Sequence, residues 1–316
     1  MSQFSVSQMA MTGFRVVREN PAAVAIWAVL QVAGTFLATA ALIAGSGGAV
    51  AELQAMAHDG SASADPTAMI AALRRLAPVP LALMPAGLLF NSVMAAAMNR
   101  VILRPQDKAF AYLRIGGDEL RQFLLGLMAT LAAGGAYVAV VVAVIVATIV
   151  ATLAAKVAAL LGVLVGVLSA LGIATVSIVV AVRLSLAPAR TFATGRVDLF
   201  GSWEITRGHF WPILGTHVLA VFLAMVVLAI CSMVSFSVTA ISTGLTPASD
   251  AMLNADYATL ARFFTPALVI YLGINSASTA LLLPVISTPA AAIYAALTAA
   301  PPPARPVEGG TYVPVP

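Results

Sequence analysis

Six long apolar runs dominate this sequence, at residues 21–44, 76–103, 122–155, 157–188, 210–241 and 266–288. A helix needs about 20 apolar residues to cross the hydrocarbon core of a bilayer. In lipid every backbone N–H and C=O must find its partner within the protein, so such runs fold as helices. Only Lys156 separates the third run from the fourth. Together they are far too long for one crossing, which predicts a tight turn near Lys156. Each alone still exceeds the ~30 Å core at about 1.5 Å per residue. Strong tilt, or a hairpin tip standing clear of the bilayer, accommodates the excess.

Composition agrees. Only 9% of the 316 residues are charged and 61% are hydrophobic. Soluble domains are about a quarter charged, and so few charges cannot cover a water-facing surface. A water-soluble enzyme, a disordered chain and a nucleic-acid-binding domain are excluded. A single cysteine, Cys231, allows no internal disulfide and no cysteine metal site. His58, His209 and His217 are too scattered for a ligand motif, so no metal or cofactor is expected. About twenty mostly polar residues precede the first run, which is too long for a signal-peptide core and reads as an uncleaved helix.

The net charge of +4 encodes topology rather than nucleic-acid binding. With six spans, Arg15, Arg18, Arg100, Arg104, Lys108, Arg114, Arg121, Arg183, Arg190, Arg196, Arg207 and Arg305 share one side. Arg74, Arg75, Lys156 and Arg262 share the other. The positive-inside rule then puts both termini of this multi-pass chain in the cytoplasm. The expected partners are the lipid bilayer and anionic head groups on that face.

A repeat is legible in the even-numbered spans. Phe90-Asn91-Ser92 aligns with Ile173-Ala174-Thr175 and with Ile274-Asn275-Ser276, and Pro105, Pro188 and Pro289 follow at one fixed spacing. Arg100-x-x-Leu103-x-Pro105 recurs as Arg183-x-x-Leu186-x-Pro188, while the third copy has Pro284 in place of the arginine. Residues 14–20, 113–119 and 203–209 mix apolar and charged residues at helical spacing, as an interfacial helix does. The expected architecture is an all-α membrane protein. Its six transmembrane helices form three repeated units of interfacial amphipathic helix plus transmembrane hairpin, at about 14–105, 113–188 and 203–289. The six-span domain covers 1–300, and Asp65-Pro66 reads as a cap and first position of a short outer helix. The Pro-rich tail, 301–316, reads as disordered.

The Arg-x-x-Leu-x-Pro exits, the stretch from Trp203 through Trp211 and the opening Phe14 to Asn20-Pro21 resemble a bacterial six-span membrane family. That family is related to the membrane domain attached to some glycerophosphodiester phosphodiesterases. The resemblance covers most of residues 10–290 and implies an α-helical cytoplasmic-membrane protein. It implies no catalytic residues, because the family's hydrolase is a separate soluble barrel.

No span carries Asp or Glu near its centre, which argues against a carboxylate proton relay. Asp118 and Glu119 read as a solvated face before the third span, since adjacent helical residues do not face each other. The intramembrane polar residues Gln31, Asn91, Thr175, His217 and Asn275 are the candidates for a polar site between the repeats. Their plainer role is interhelical hydrogen bonding. Arg100, Arg183 and Arg207 are candidate head-group anchors, by snorkelling or by fixing the next interfacial segment through a lipid. Gly162-x-x-x-Gly166 permits close helix approach. The function expected from these features is a non-enzymatic scaffold or accessory subunit linked to lipid or envelope homeostasis. The alternative is a permease or lipid carrier using the polar positions.

Overall fold

The computed structural model describes residues 5–58, 66–243 and 255–299, so Asp65 and the 301–316 tail lie outside the described residues. Among the described residues all regular structure is helical, and six helices are long and apolar enough to cross a membrane. The chain is a multi-pass membrane protein.

Two short helices, α1 (Val6–Ala10) and α2 (Thr12–Glu19), lead into the first span, α3 (Pro21–His58). Asn20 closes α2 and Pro21 opens α3. Proline is preorganised for a first helical position and has no N–H to leave unpaired there. Helix α4 (Pro66–Leu76) leads into the second span, α5 (Pro78–Leu103), by the same device. A turn at Ala109–Tyr112 precedes the third span, α6 (Gly117–Val157). Ala158 alone, in an extended conformation, separates α6 from the fourth span, α7 (Ala159–Leu184). This is the turn required beside Lys156. Helices α8 (Ala187–Thr194) and α9 (Ser202–Ile205) lead to the fifth span, α10 (Phe210–Thr243). Finally, α11 (Leu260–Phe263) precedes the sixth span, α12 (Pro266–Thr298). The Thr265 hydroxyl caps α12 by accepting from the Leu268 N–H at 3.4 Å.

Several boundaries differ from the sequence expectation. The first span continues past residue 44 to His58, through Gly45, Gly47 and Gly48. Two of those glycines serve close packing rather than a turn. A Cβ on Gly47 would sit 2.1 Å from the Tyr257 carbonyl oxygen, and one on Gly45 would sit 2.7 Å from Val79. The sixth span runs through Pro284 and Pro289 to Thr298. The fourth ends at Leu184, and Pro188 belongs to α8. The three span entrances also differ from one another. Short helix α1 and amphipathic helix α2 precede the first hairpin, whereas residues 113–116 are non-helical and Asp118 and Glu119 fall in the first turn of α6.

Helix α12 is the centre of the bundle, packed against α2, α3, α5 and α10. Ala280, Val285, Ala291 and Ile293 are fully or almost fully buried on it. Gly13 lets α2 lie directly on the proline-bracketed part of α12: a Cβ there would be 2.3 Å from Val285 Cα. The α6–α7 hairpin is different. Along α6 only Glu119, Gln122 and Leu125 are buried, and along α7 only Gly162 and Val182. The hairpin is held at its root, by α5 and α8 on one side and by α9 and α10 on the other. At about 1.5 Å per residue, the 41 residues of α6 span roughly 60 Å.

The loops opposite the root build a small cap. Ile43, Ala255, Phe263 and Leu268 cluster there, and Phe36 stacks on Phe264 at 5.7 Å. Arg75 pairs with Glu52 at 3.0 Å and Arg262 with Asp256 at 3.2 Å.

Candidate functional site

Most of the interior ion pairing gathers at the root of the α6–α7 hairpin. Arg100, one turn from the end of α5, is only 1% exposed. Its Nη2 donates to Glu119 Oε1 at 2.6 Å and lies 3.7 Å from Asp118, and its Nη1 donates to the Tyr112 carbonyl. Arg104 donates to Asp118 at 2.9 Å and to the Phe192 carbonyl at 3.3 Å, and Arg121 pairs with Asp118 at 3.0 Å. The Arg100 and Arg104 guanidinium carbons lie 5.4 and 4.6 Å from the centre of the Phe192 ring. Glu119 is 2% exposed. Gln122, one turn on, donates to the Pro188 carbonyl at 2.8 Å, tying α6 to α8.

The turn beneath this network is strained. Phe110, Ala111 and Tyr112 all have positive φ, a region that costs non-glycine residues about 1–3 kcal/mol each. The surroundings hold it in place. Trp27 Nε1 donates to the Ala111 carbonyl at 3.0 Å, Arg100 to that of Tyr112, and the Tyr112 hydroxyl to Asn20 at 3.0 Å. The entrance of α3, the exit of α5 and the root of α6 are thereby locked together. Within a low-dielectric interior, removing one member of such an ion pair strands the other.

Arg183 occupies the matching place at the end of α7, with a different partner set. It donates to the Thr206 hydroxyl at 3.3 Å and lies 5.6 Å from the Trp203 ring, and its carbonyl accepts from Ser202 at 2.8 Å. Among the described residues it has no carboxylate partner. The Nε of each of these two arginines is buried without a partner.

These placements correct two expectations. Arg100 does not reach outward as a head-group anchor, because Glu119 meets it inside the protein. Nor is Glu119 part of a solvated face. Although adjacent on the helix, Asp118 and Glu119 both reach Arg100 Nη2, at 3.7 and 2.6 Å. Arg207 is exposed.

Nor do the candidate intramembrane residues assemble one site. Asn91 is exposed on α5, and the Thr175 hydroxyl is exposed and donates to the Leu171 carbonyl of its own helix. Asn275 donates to the Ser235 hydroxyl at 3.3 Å and to the Tyr271 carbonyl at 2.9 Å, which joins α12 to α10. Gln31 is half-buried on α3. The polar site expected between Gln31, Asn91, Thr175 and Asn275 is therefore not formed. Interhelical hydrogen bonding describes Asn275.

His217 alone of the five reaches a polar cavity, in company the sequence reading missed. A cavity of about 190 Å³ is lined by Asn99 of α5, Ser185 beyond α7, His217 of α10 and Ser287 of α12, with Ala95 and Met98. His217 Nδ1 lies 2.9 Å from the Ile213 carbonyl. A carbonyl only accepts, so Nδ1 carries the proton, and in the neutral ring Nε2 is left as an acceptor. Among the described residues no group of His, Cys, Asp and Glu could hold a metal ion.

No family model, no curated protein and no solved structure matches this chain.

Proposed function

We propose that this protein is a non-enzymatic scaffold or accessory subunit of the bacterial cytoplasmic membrane, with both termini cytoplasmic and a role in lipid or envelope homeostasis. One observation carries the reading. The α6–α7 hairpin is clamped at its root by the buried Arg100–Glu119 pair, while nearly all its remaining surface is unused by the bundle. Val142, Val146, Leu164 and Leu168 are all about half exposed or more. Transmembrane helices associate by close packing of small residues. Between α6 and α7 lies a groove whose wall includes Ala147, Ala151, Gly162 and Gly166. Exposed valine and leucine alone need only lipid, but a rigidly rooted arm with a groove walled by small residues suits a protein whose work is to hold another membrane protein.

Kinship with the membrane domain of glycerophosphodiester phosphodiesterases, and the threefold repeat, belong to the same proposal and rest on the sequence motifs. The twelve basic residues assigned to one face support the orientation. A second reading, a permease or lipid carrier, draws on the cavity beside Asn99 but lacks the site between repeats from which it began.

Native mass spectrometry on material released from bacterial membranes in lipid nanodiscs tests the proposal. A defined assembly with a second protein, disrupted by replacing Val146 and Leu164 with tryptophan, is expected. A lone copy carrying only lipid would overturn it.

A further inference from the structure

The cavity beside Asn99 has the makings of a binding site. Its walls come from four separate segments, namely α5, the α7–α8 junction, α10 and α12. Asn99 is only 5% exposed, and among the described residues its carboxamide has no hydrogen-bond partner. Its amide therefore opens onto the cavity with its donors and acceptor unused by the protein. The Ser287 hydroxyl is likewise without a bond, and His217 offers Nε2 as an acceptor. Donors and acceptors therefore converge from α5, α10 and α12.

The α12 wall has its own peculiarity. Ile286 and Ser287 lie between Pro284 and Pro289, neither of which supplies an N–H. The carbonyls of Ala280 and Val285 consequently lose their usual donors four residues on. Irregular backbone bonding at membrane depth is tolerated where protein or a water-filled cavity surrounds it.

Size and charge narrow the occupant. No Asp, Glu, Lys or Arg lines the cavity. An ion there would be desolvated without a counter-charge, at a cost far above that of a neutral molecule. At a liquid share of about 30 Å³ per water, 190 Å³ holds about six waters or one solute of a few heavy atoms. We propose that Asn99, Ser287 and His217 form a binding site for one small uncharged solute that both donates and accepts hydrogen bonds. The inference rests on neither functional reading and survives the failure of either.

Three probes of one shape and different charge test it: acetamide, acetate and acetamidinium. Saturation-transfer NMR on the full chain in nanodiscs is expected to show saturable acetamide binding and none of the two ions. Asn99→Leu weakens acetamide at least tenfold and Ser287→Ala severalfold. Because the Asn99 amide has no protein partner, N99L leaves the melting temperature of the empty protein unchanged or raised. Absence of saturable acetamide binding, equal binding of acetate, undiminished binding in a folded S287A or N99L protein, or a large fall in N99L stability would each overturn the proposal.

Discussion

Helix α12 and the α6–α7 hairpin show opposite solutions to life in a bilayer. The hairpin helices are the more apolar, yet none of their most apolar stretch is buried, whereas half of the corresponding stretch of α12 is. In water the most apolar segment goes inside. In lipid it has no reason to, because acyl chains solvate valine and leucine as well as protein does. What earns α12 its central place is its small and polar residues. Ser276, Ser278, Ala280, Thr288, Ala291 and Ala292 are all buried, and they let neighbours approach closely. The hairpin is instead secured by charge at one end.

That contrast can be broken at the hairpin root. Glu119→Gln removes the nearer counter-ion of buried Arg100 and leaves it only Asp118, at 3.7 Å and shared with Arg104 and Arg121; stability should fall by up to about 3–5 kcal/mol, read by unfolding in bicelles. The double variant Arg100→Met with Glu119→Leu should recover most of the loss, since it removes both charges together. If E119Q melts like the native protein, the root is not an ion-pair latch.

The next effect uses one substitution in two places. Gly13→Ala puts a Cβ 2.3 Å from the Val285 backbone, so α2 must lift from α12, at about 1–3 kcal/mol. Gly135→Ala meets nothing within 4 Å on α6, and should raise helix stability by up to ~1 kcal/mol. Thermal melts of the two variants should move in opposite directions. Shifts of the same sign would mean that the hairpin is packed as the bundle is.

The smallest effect lies in the outer cap. The N–H of Ala258 donated to Asp256 holds its carboxyl below its usual range, partly opposed by desolvation and assisted by Arg262. A carboxyl with a lowered folded pKa contributes stability above its unfolded pKa, and that contribution is lost as pH falls through the folded value. Amide exchange in residues 255–264 should therefore quicken selectively below the ordinary carboxylate range. Asp256→Asn should abolish the pH dependence.

The six helices, the Ala158 turn and the polar character of the span ends were legible because bilayer thickness and backbone hydrogen bonding leave a chain few choices. Rotation about each helix axis was not. Asn91 and Asn99 sit on one helix, eight residues and about 80° apart at roughly 100° per residue. The first faces out and the second lines the cavity. Nothing in an almost uniformly apolar stretch shows which side meets lipid. The arginine at residue 100 was visible, but its partner lies 19 residues later across a strained turn that no local pattern announces. Arg183, with the same Arg-x-x-Leu-x-Pro context, meets Thr206 instead, so the motif encodes the arginine's position and not its partner.

We propose that the exposed arm of the hairpin meets another protein. A photoreactive residue at Val146 or Leu164, activated in intact bacterial membranes, tests it directly, with Val29 on α3 as a lipid-facing control; Val29 is 67% exposed. Both hairpin positions should yield one discrete protein adduct and Val29 none. Lipid adducts alone at all three positions would contradict the account.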